Sequence, residues 1–277
     1  MHPDPATIQP DAHIWERAKL DLRSHSCDLL SSAGRQPKQW GSGVLLACGD
    51  AAFLVTASHV MEIVGEKAEI LIGSMSVGAR GLISLGDSNP VVRTKDDEKL
   101  DLALVRLSES AIEALAPLKQ FVLPSEVDLN RVMPQGRYFI AGYPIQLTQT
   151  DHTSKTITVG SFTYTTHLTD SDHVHPGVSI ALARGKDSIT RGDDGEPARS
   201  PELRGVSGCG IWRLWANEQA DQLADWNETW IELVGIEHRT AGEAIIGTMA
   251  AHVYDMLLRT QPVEVTLTPE RLIVRVR

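Results

Sequence analysis

Three short segments carry, in chain order, an imidazole, a carboxylate and a hydroxyl, each beside an apolar, strand-like run. They are Phe53-Leu54-Val55-Thr56-Ala57-Ser58-His59-Val60, Leu100-Asp101-Leu102-Ala103-Leu104-Val105 and Gly205-Val206-Ser207-Gly208-Cys209-Gly210. A serine hydroxyl is a weak nucleophile at neutral pH, so attack requires a base that takes its proton. An imidazole suits that task because its unperturbed pKa lies near neutrality. A carboxylate beside the imidazole fixes its tautomer and stabilises the imidazolium. Backbone N–H groups must then meet the developing oxyanion. Gly205 and Ser207 are the candidates for that role, because glycine lets the backbone ahead of the serine turn its amides inward. The candidate base, orienting acid and nucleophile are thus His59, Asp101 and Ser207. Each also has a plainer reading alone: a histidine at a strand end, a turn aspartate, a serine in a tight glycine turn.

The order His, Asp, Ser, with tens of residues between them, is that of the two-barrel proteases rather than of the subtilisin or α/β-hydrolase folds. Gly41-Ser42-Gly43-Val44-Leu45-Leu46 resembles the G-[ST]-G strand that precedes the histidine in the trypsin-like (chymotrypsin-fold, S1-type) serine peptidases. Thr56-Ala57-Ser58-His59 resembles their T-A-A-H, Asp101-Leu102-Ala103-Leu104 their D-[IL]-A-L, and Gly205–Gly210 their G-[DN]-S-G-G. The chain resembles the short bacterial-type intracellular branch of that family over roughly residues 24–250.

The resemblance implies an all-β fold of two antiparallel six-stranded β-barrels, with an N-terminal helix, a C-terminal helix and a terminal β-hairpin. It implies an endopeptidase acting on protein or peptide substrates through an acyl-enzyme, with no cofactor and no metal. Two residues depart from the pattern. Val206 stands where the zymogens carry an aspartate that pairs with a newly cut amino terminus, so that activation switch cannot operate. Cys209 replaces a glycine. Without the aspartate switch, the expectation is a latent enzyme turned on by an activating or recruiting protein partner, in the manner of stress or antiviral effectors. The other class left open is an inactive protease-fold binding module.

The same resemblance places the substrate pocket just before the serine motif and on a strand after it. The pocket-base position, six residues before Ser207, is Pro201 and not an aspartate. Glu202 or Glu237, with His238 beside the latter, are the alternatives; a carboxylate from either favours a basic substrate side chain. The ordinary fate of a glutamate is to face solvent.

Composition restricts the remaining possibilities. The chain has 277 residues, 42% hydrophobic and 22% charged, with a net charge of −10. It carries no basic block, which argues against nucleic acid or an anionic membrane as partner. The first residues show neither a positive n-region nor an apolar h-region. The cysteines are three and scattered (Cys27, Cys48, Cys209). Together these predict a chain kept reduced in the cytoplasm, stabilised by packing without disulfides.

The elements that must position the chemistry follow from patterning. Residues 11–22 read as a helix capped by Asp11 and packed outside the barrels. Short β-rich runs are predicted at Cys27–Ser31, Gly43–Cys48, Ala52–Thr56, Ala68–Ile72, Gly81–Leu85 and Leu102–Leu107. A brief helix falls between Ser108 and Leu118, and Pro124–Pro134 reads as the crossing between barrels. The second set is Arg137–Ala141, Lys155–Tyr164, Gly177–Ala183, Gly210–Trp215, Ile231–His238 and Glu243–Gly247. Thr248–Arg259 has a helical pattern, and 263–276 reads as a hairpin turning at Thr268-Pro269-Glu270. The division is 1–23 helical extension, 24–120 first barrel, 121–250 second barrel, and 251–277 helix and tail. Asp170-Ser171-Asp172-His173-Val174-His175 offers metal-type ligands but without compact ligand spacing, so a solvated turn is expected. Arg191-Gly192-Asp193-Asp194-Gly195 is a surface loop or lid, and Trp226 and Trp230 sit in a polar insertion.

Overall fold

The computed structural model describes residues 12–31, 38–65, 70–76, 79–86, 88–93, 99–123, 137–151, 153, 156–185, 189–191, 197–199, 202–214, 231–260, 263–267 and 272–276. The expected crossing segment, the glycine-rich loop at 192–195, the Trp226/Trp230 insertion and Pro201 lie outside them.

Helix α1 (Ala12–His25) leads into a first antiparallel group: β1 (Ser26–Ser31), β2 (Lys38–Cys48) and β3 (Ala51–Ala57). Helix α2 (Ser58–Gly65) follows β3 directly, and then come β4 (Ile70–Ser76), β5 (Ala79–Ser84), β6 (Asn89–Arg93) and β7 (Leu102–Arg106). They form one sheet in the order β5-β4-β1-β2-β3-β7-β6. That is seven strands, one more than the sequence suggested; the addition is β6, whose Pro90 suits a strand at the sheet edge. Helix α3 (Glu109–Leu115) begins where predicted, with the Ser108 hydroxyl accepting from the Ala111 N–H at 3.3 Å as an N-cap.

The second group runs β8 (Arg137–Gly142), β9 (Thr148–Asp151), β10 (Thr156–Val159), β11 (Phe162–Thr166), β12 (Ser179–Ala183), β13 (Ile189–Arg191), β14 (Pro197–Arg199), β15 (Gly210–Leu214), β16 (Ile231–Ala241) and β17 (Ala244–Met249). Six of these pair as β11-β8-β15-β16-β17-β12. The chain beyond β11 then closes the ring onto β12: Leu168 bridges Leu182, Thr169 N donates to Ala181 O and Ala183 N to His167 O. Closure removes the free sheet edges. Helix α4 (Ala250–Thr260) and the hairpin β18 (Val263–Leu267) and β19 (Leu272–Val276) complete the described chain.

The largest core cluster lies between the sheets. It joins Val44, Leu46, Phe53 and Leu104 of the first sheet to Phe139, Trp212, Leu233 and Ile236 of the second. Helix α4 contributes Val253, Tyr254 and Leu257, on one face by the helical period. Helix α1 contributes Ala18 and Leu22, one helical turn apart and both fully buried. The expectation that α1 packs outside the barrels did not say where its apolar side goes: Ala18 and Leu22 bury in the seam between the two sheets. The three cysteines are free and buried. Among the described residues, no helix is long and apolar enough to cross a membrane.

Candidate active site

Asp101 ends a turn that β7 continues, and it is fixed from two sides. Its backbone has φ +41°, the one positive value outside glycine among the described residues. Aspartate tolerates that left-handed conformation better than most residues do. The result points Asp101 at the start of α2, whose first N–H groups have no intrahelical partner. Ser58 N donates to Asp101 O at 3.0 Å, and His59 N to Asp101 Oδ1 at 3.0 Å. The second carboxylate oxygen meets His59 Nδ1 at 2.8 Å. One carboxylate thus caps the helix and orients the imidazole that the helix carries. From the far side, the Thr248 hydroxyl of β17 donates to Leu100 O, tying the turn to the second sheet.

Ser207 sits on the turn between Arg204 and Gly208. Ser42 of β2 clamps that turn: its hydroxyl donates to Gly205 O at 2.9 Å, and its N–H donates to Ser207 O at 2.8 Å. The Gly41-Ser42-Gly43 motif therefore holds the serine turn of the other sheet. Two glycines in the turn have no substitute. Gly205 has φ +91°, and a Cβ there would meet Ile145 N at 2.9 Å and Tyr143 O at 3.1 Å. Gly208 has φ +93° and lies against the Thr56 side chain and Ser42 O, where a Cβ has no room. Val206 N is turned inward to Leu203 O at 3.0 Å; among the described residues, the N–H groups of Gly205 and Ser207 donate to no backbone carbonyl.

Behind the serine turn runs β16, with a β-bulge. Its register against β17 steps from Glu237↔Gly247 to Arg239↔Ile246, so His238 is the extra, unpaired residue. A bulge breaks the two-residue alternation of side chains. Glu237 and His238 are consequently both buried, at 1% and 4% exposure. The His238 ring turns toward Asp101, with Nδ1 3.7 Å from Oδ2. Its carbonyl accepts the Ser207 hydroxyl at 3.3 Å. Burial lowers the His238 pKa to about 4, against the pull of Asp101, so the ring is neutral at neutral pH. Glu237 is pushed the other way, up to about 8, first by burial and then by the Asp101 charge, while the neighbouring Ser207 side chain opposes the shift. Glu237 Oε2 and His238 Nε2 are buried with no hydrogen-bond partner among the described residues.

No family model matches the chain, and no curated protein matches it. Among solved structures it resembles a serine endoprotease from Yersinia pestis, with a TM-score of 0.50 and 13% identity over 94% of this chain and 71% of that one. It also aligns with the HtrA-type protease AlgW, solved with a decapeptide, at a TM-score of 0.49 and 13% identity, over 92% and 73% of the two chains. The fold is the double β-barrel of the trypsin-like serine proteases.

In this double barrel, His59 comes from α2 and Asp101 from the turn before β7, both beside the first sheet, and Ser207 comes from a turn beside the second. A cavity of about 360 Å³ opens beside Ser207. Of the pocket residues expected from sequence, Glu202 and Glu237 line it. Glu202 stays exposed, its N–H donating to Gln146 Oε1 at 2.8 Å, whereas Glu237 leaves solvent altogether. His238 does not line the cavity, because the bulge commits its ring to Asp101. Arg204 and Arg239 fall within the two segments expected to shape the pocket, 200–204 and 234–239, but were not singled out there, and Arg184 was not expected at all; the three share the cavity wall. The three are distant from one another in sequence, so their meeting at one wall is decided only by the fold. The Asp170–His175 segment is a turn, with His173 N donating to Ser171 Oγ at 3.2 Å.

Proposed function

We propose that the chain is a serine endopeptidase that cleaves protein substrates through an acyl-enzyme on Ser207. His59 is the general base and then the general acid, and Asp101 is its orienter. The observation that carries this reading is the double hold of Asp101 on His59, through the ring at 2.8 Å and the backbone N–H at 3.0 Å. That hold leaves Nδ1 as the donor and Nε2 as the free base. Attack begins when the Ser207 hydroxyl leaves the His238 carbonyl and gives its proton to His59 Nε2. Ser207 Oγ bonds to the substrate carbonyl carbon, and the carbonyl oxygen takes the negative charge. The N–H groups of Gly205 and Ser207 receive that oxyanion. Collapse expels the amine, which takes the proton from His59 and leaves the acyl-enzyme. Water then attacks with His59 as base again and frees the acid.

The Ser207 hydroxyl's donation to the His238 carbonyl competes with donation to His59, in keeping with an enzyme that a protein partner switches on. Labelling with a fluorophosphonate tests the reading, in wild type and in Ser207→Ala and His59→Ala. Labelling of wild type alone is expected, weak in isolation and strengthened by an activating partner. A folded wild type that never labels, with or without cell lysate, would leave a protease-fold binding module instead.

A further inference from the structure

The cavity beside Ser207 has a charge pattern that the proposed hydrolysis does not use. Arg184 follows β12, Arg204 opens the serine turn, and Arg239 stands just past the bulge of β16; all three are exposed side chains on the cavity wall. Among the described residues none of them pairs with a carboxylate. Arg239 Nη2 donates to the His173 carbonyl, at 3.3 Å. Among the described residues, the remaining charged-type lining groups are Glu202, at the exposed rim, and Glu237, buried beside Ser207. Glu237 does not cancel the arginines. Burial and Asp101 hold it mostly protonated at neutral pH, and its Oε2 has no partner among the described residues. The described wall of this cavity is thus positive, in a chain whose net charge is −10.

We propose that this cavity selects an acidic side chain, Glu or Asp, at the substrate residue whose carbonyl Ser207 attacks. The proposal rests on the peptidase reading above. A carboxylate there meets guanidinium groups whose planar forks match it in two-point hydrogen bonds. The carboxylic acid of Glu237 adds an O–H donor at the inner end, and a second carboxylate beside it only strengthens its hold on the proton. A lysine or arginine side chain meets three like charges at the mouth and must ionise Glu237 within a buried site. The sequence-based expectation of a basic side chain considered the glutamates without the arginines that fold around them.

The test uses Ser207→Ala and capped peptides acetyl-Ala-Ala-Ala-Xaa-Ala-Ala-amide, with Xaa as Glu, Gln, Leu or Lys, titrated by calorimetry at pH 7. The Glu peptide is expected to bind at least about tenfold more tightly than the Lys peptide, the factor that one charge-assisted hydrogen bond supplies. That preference is expected to collapse in the double variants Ser207→Ala/Arg204→Ala and Ser207→Ala/Arg239→Ala, whose added changes are at exposed sites. Equal binding of the four, tighter binding of Lys or Leu, or no binding of the Glu peptide overturns the proposal. Fluorophosphonate labelling of the wild type separates the two readings. A Glu preference without labelling keeps the selectivity and discards the hydrolysis; labelling without a Glu preference does the reverse.

Discussion

The His238 ring lies 3.7 Å from the Asp101 carboxylate, while the carbonyl of the same His238 accepts the Ser207 hydroxyl at 3.3 Å. A single bulged residue therefore touches both the orienting acid and the nucleophile of the proposed triad. Two imidazoles share Asp101, but unequally: His59 has the short contact and remains 42% exposed at its side chain, and His238 is sealed inside.

Asp101→Asn separates the electrostatic role of this carboxylate from its structural one. Asparagine accepts the left-handed backbone at φ +41° and can still accept the His59 N–H. The fold is expected to survive, with an unchanged melting temperature to within a few degrees. The labelling rate is expected to fall by about 10³–10⁴, because the amide favours the wrong imidazole tautomer. Equal labelling rates for variant and wild type would remove Asp101 from the mechanism.

Glu237→Gln is expected to stabilise the fold at alkaline pH. The folded carboxyl titrates near 8 against an ordinary value of 4.5, so the folded state holds its proton more tightly than the unfolded state does. Its contribution is complete below the unfolded pKa and is lost as pH rises through 8. The glutamine variant, with no proton to lose, gains on wild type between those limits, by on the order of 2–4 kcal/mol. Urea unfolding at pH 5 and pH 8.5 measures the difference; a constant offset would show that Glu237 ionises without penalty.

His25 and His238 predict an acid limb of opposite sign. Burial lowers both to about 4 from 6.5, so the unfolded chain binds protons that the folded chain refuses. Stability is expected to decline as pH falls from about 6.5 to 4, by on the order of 2–3 kcal/mol for each. The double variant His25→Gln/His238→Gln should flatten that decline in denaturant titrations across the same range. A limb as steep as in wild type would place the acid sensitivity elsewhere.

Gly208→Ala is expected to cost more than an ordinary surface change, because the new methyl group meets both Thr56 and the Ser42 carbonyl at φ +93°. Backbone strain alone costs about 1–3 kcal/mol. The turn also loses its seat on Ser42, so labelling of Ser207 should fall further than the loss of folded protein accounts for. Comparing labelled with folded fractions, by mass spectrometry and circular dichroism, measures this. Parallel losses would assign Gly208 to stability alone.

Much of the frame was readable because it is written in local patterns. Apolar runs between turn residues placed nearly every strand of the two main sheets. Alanine- and glutamate-rich composition marked α3, and the pattern of Met249, Val253, Met256 and Leu257 marked α4. Helix α1 was legible as a helix but not as core, since the seam that buries Ala18 and Leu22 is made by strands far along the chain.

The sequence by itself determined which reactive groups the chain carries, their order, and the strands and turns beside them, because those depend on neighbours a few residues away; helix α2, which bears His59, was not among the predicted elements. Only the tertiary structure decided that Asp101 caps the helix of His59, that Ser42 clamps the serine turn, and that Ser207 rests on His238. It alone brought Arg184, Arg204 and Arg239 to one cavity. The bulge at His238 is the clearest case. A strand's alternation predicts opposite faces for Glu237 and His238, but one unpaired residue against β17 turns both inward. Register against a partner strand is a property of two segments, and no reading of either one alone contains it.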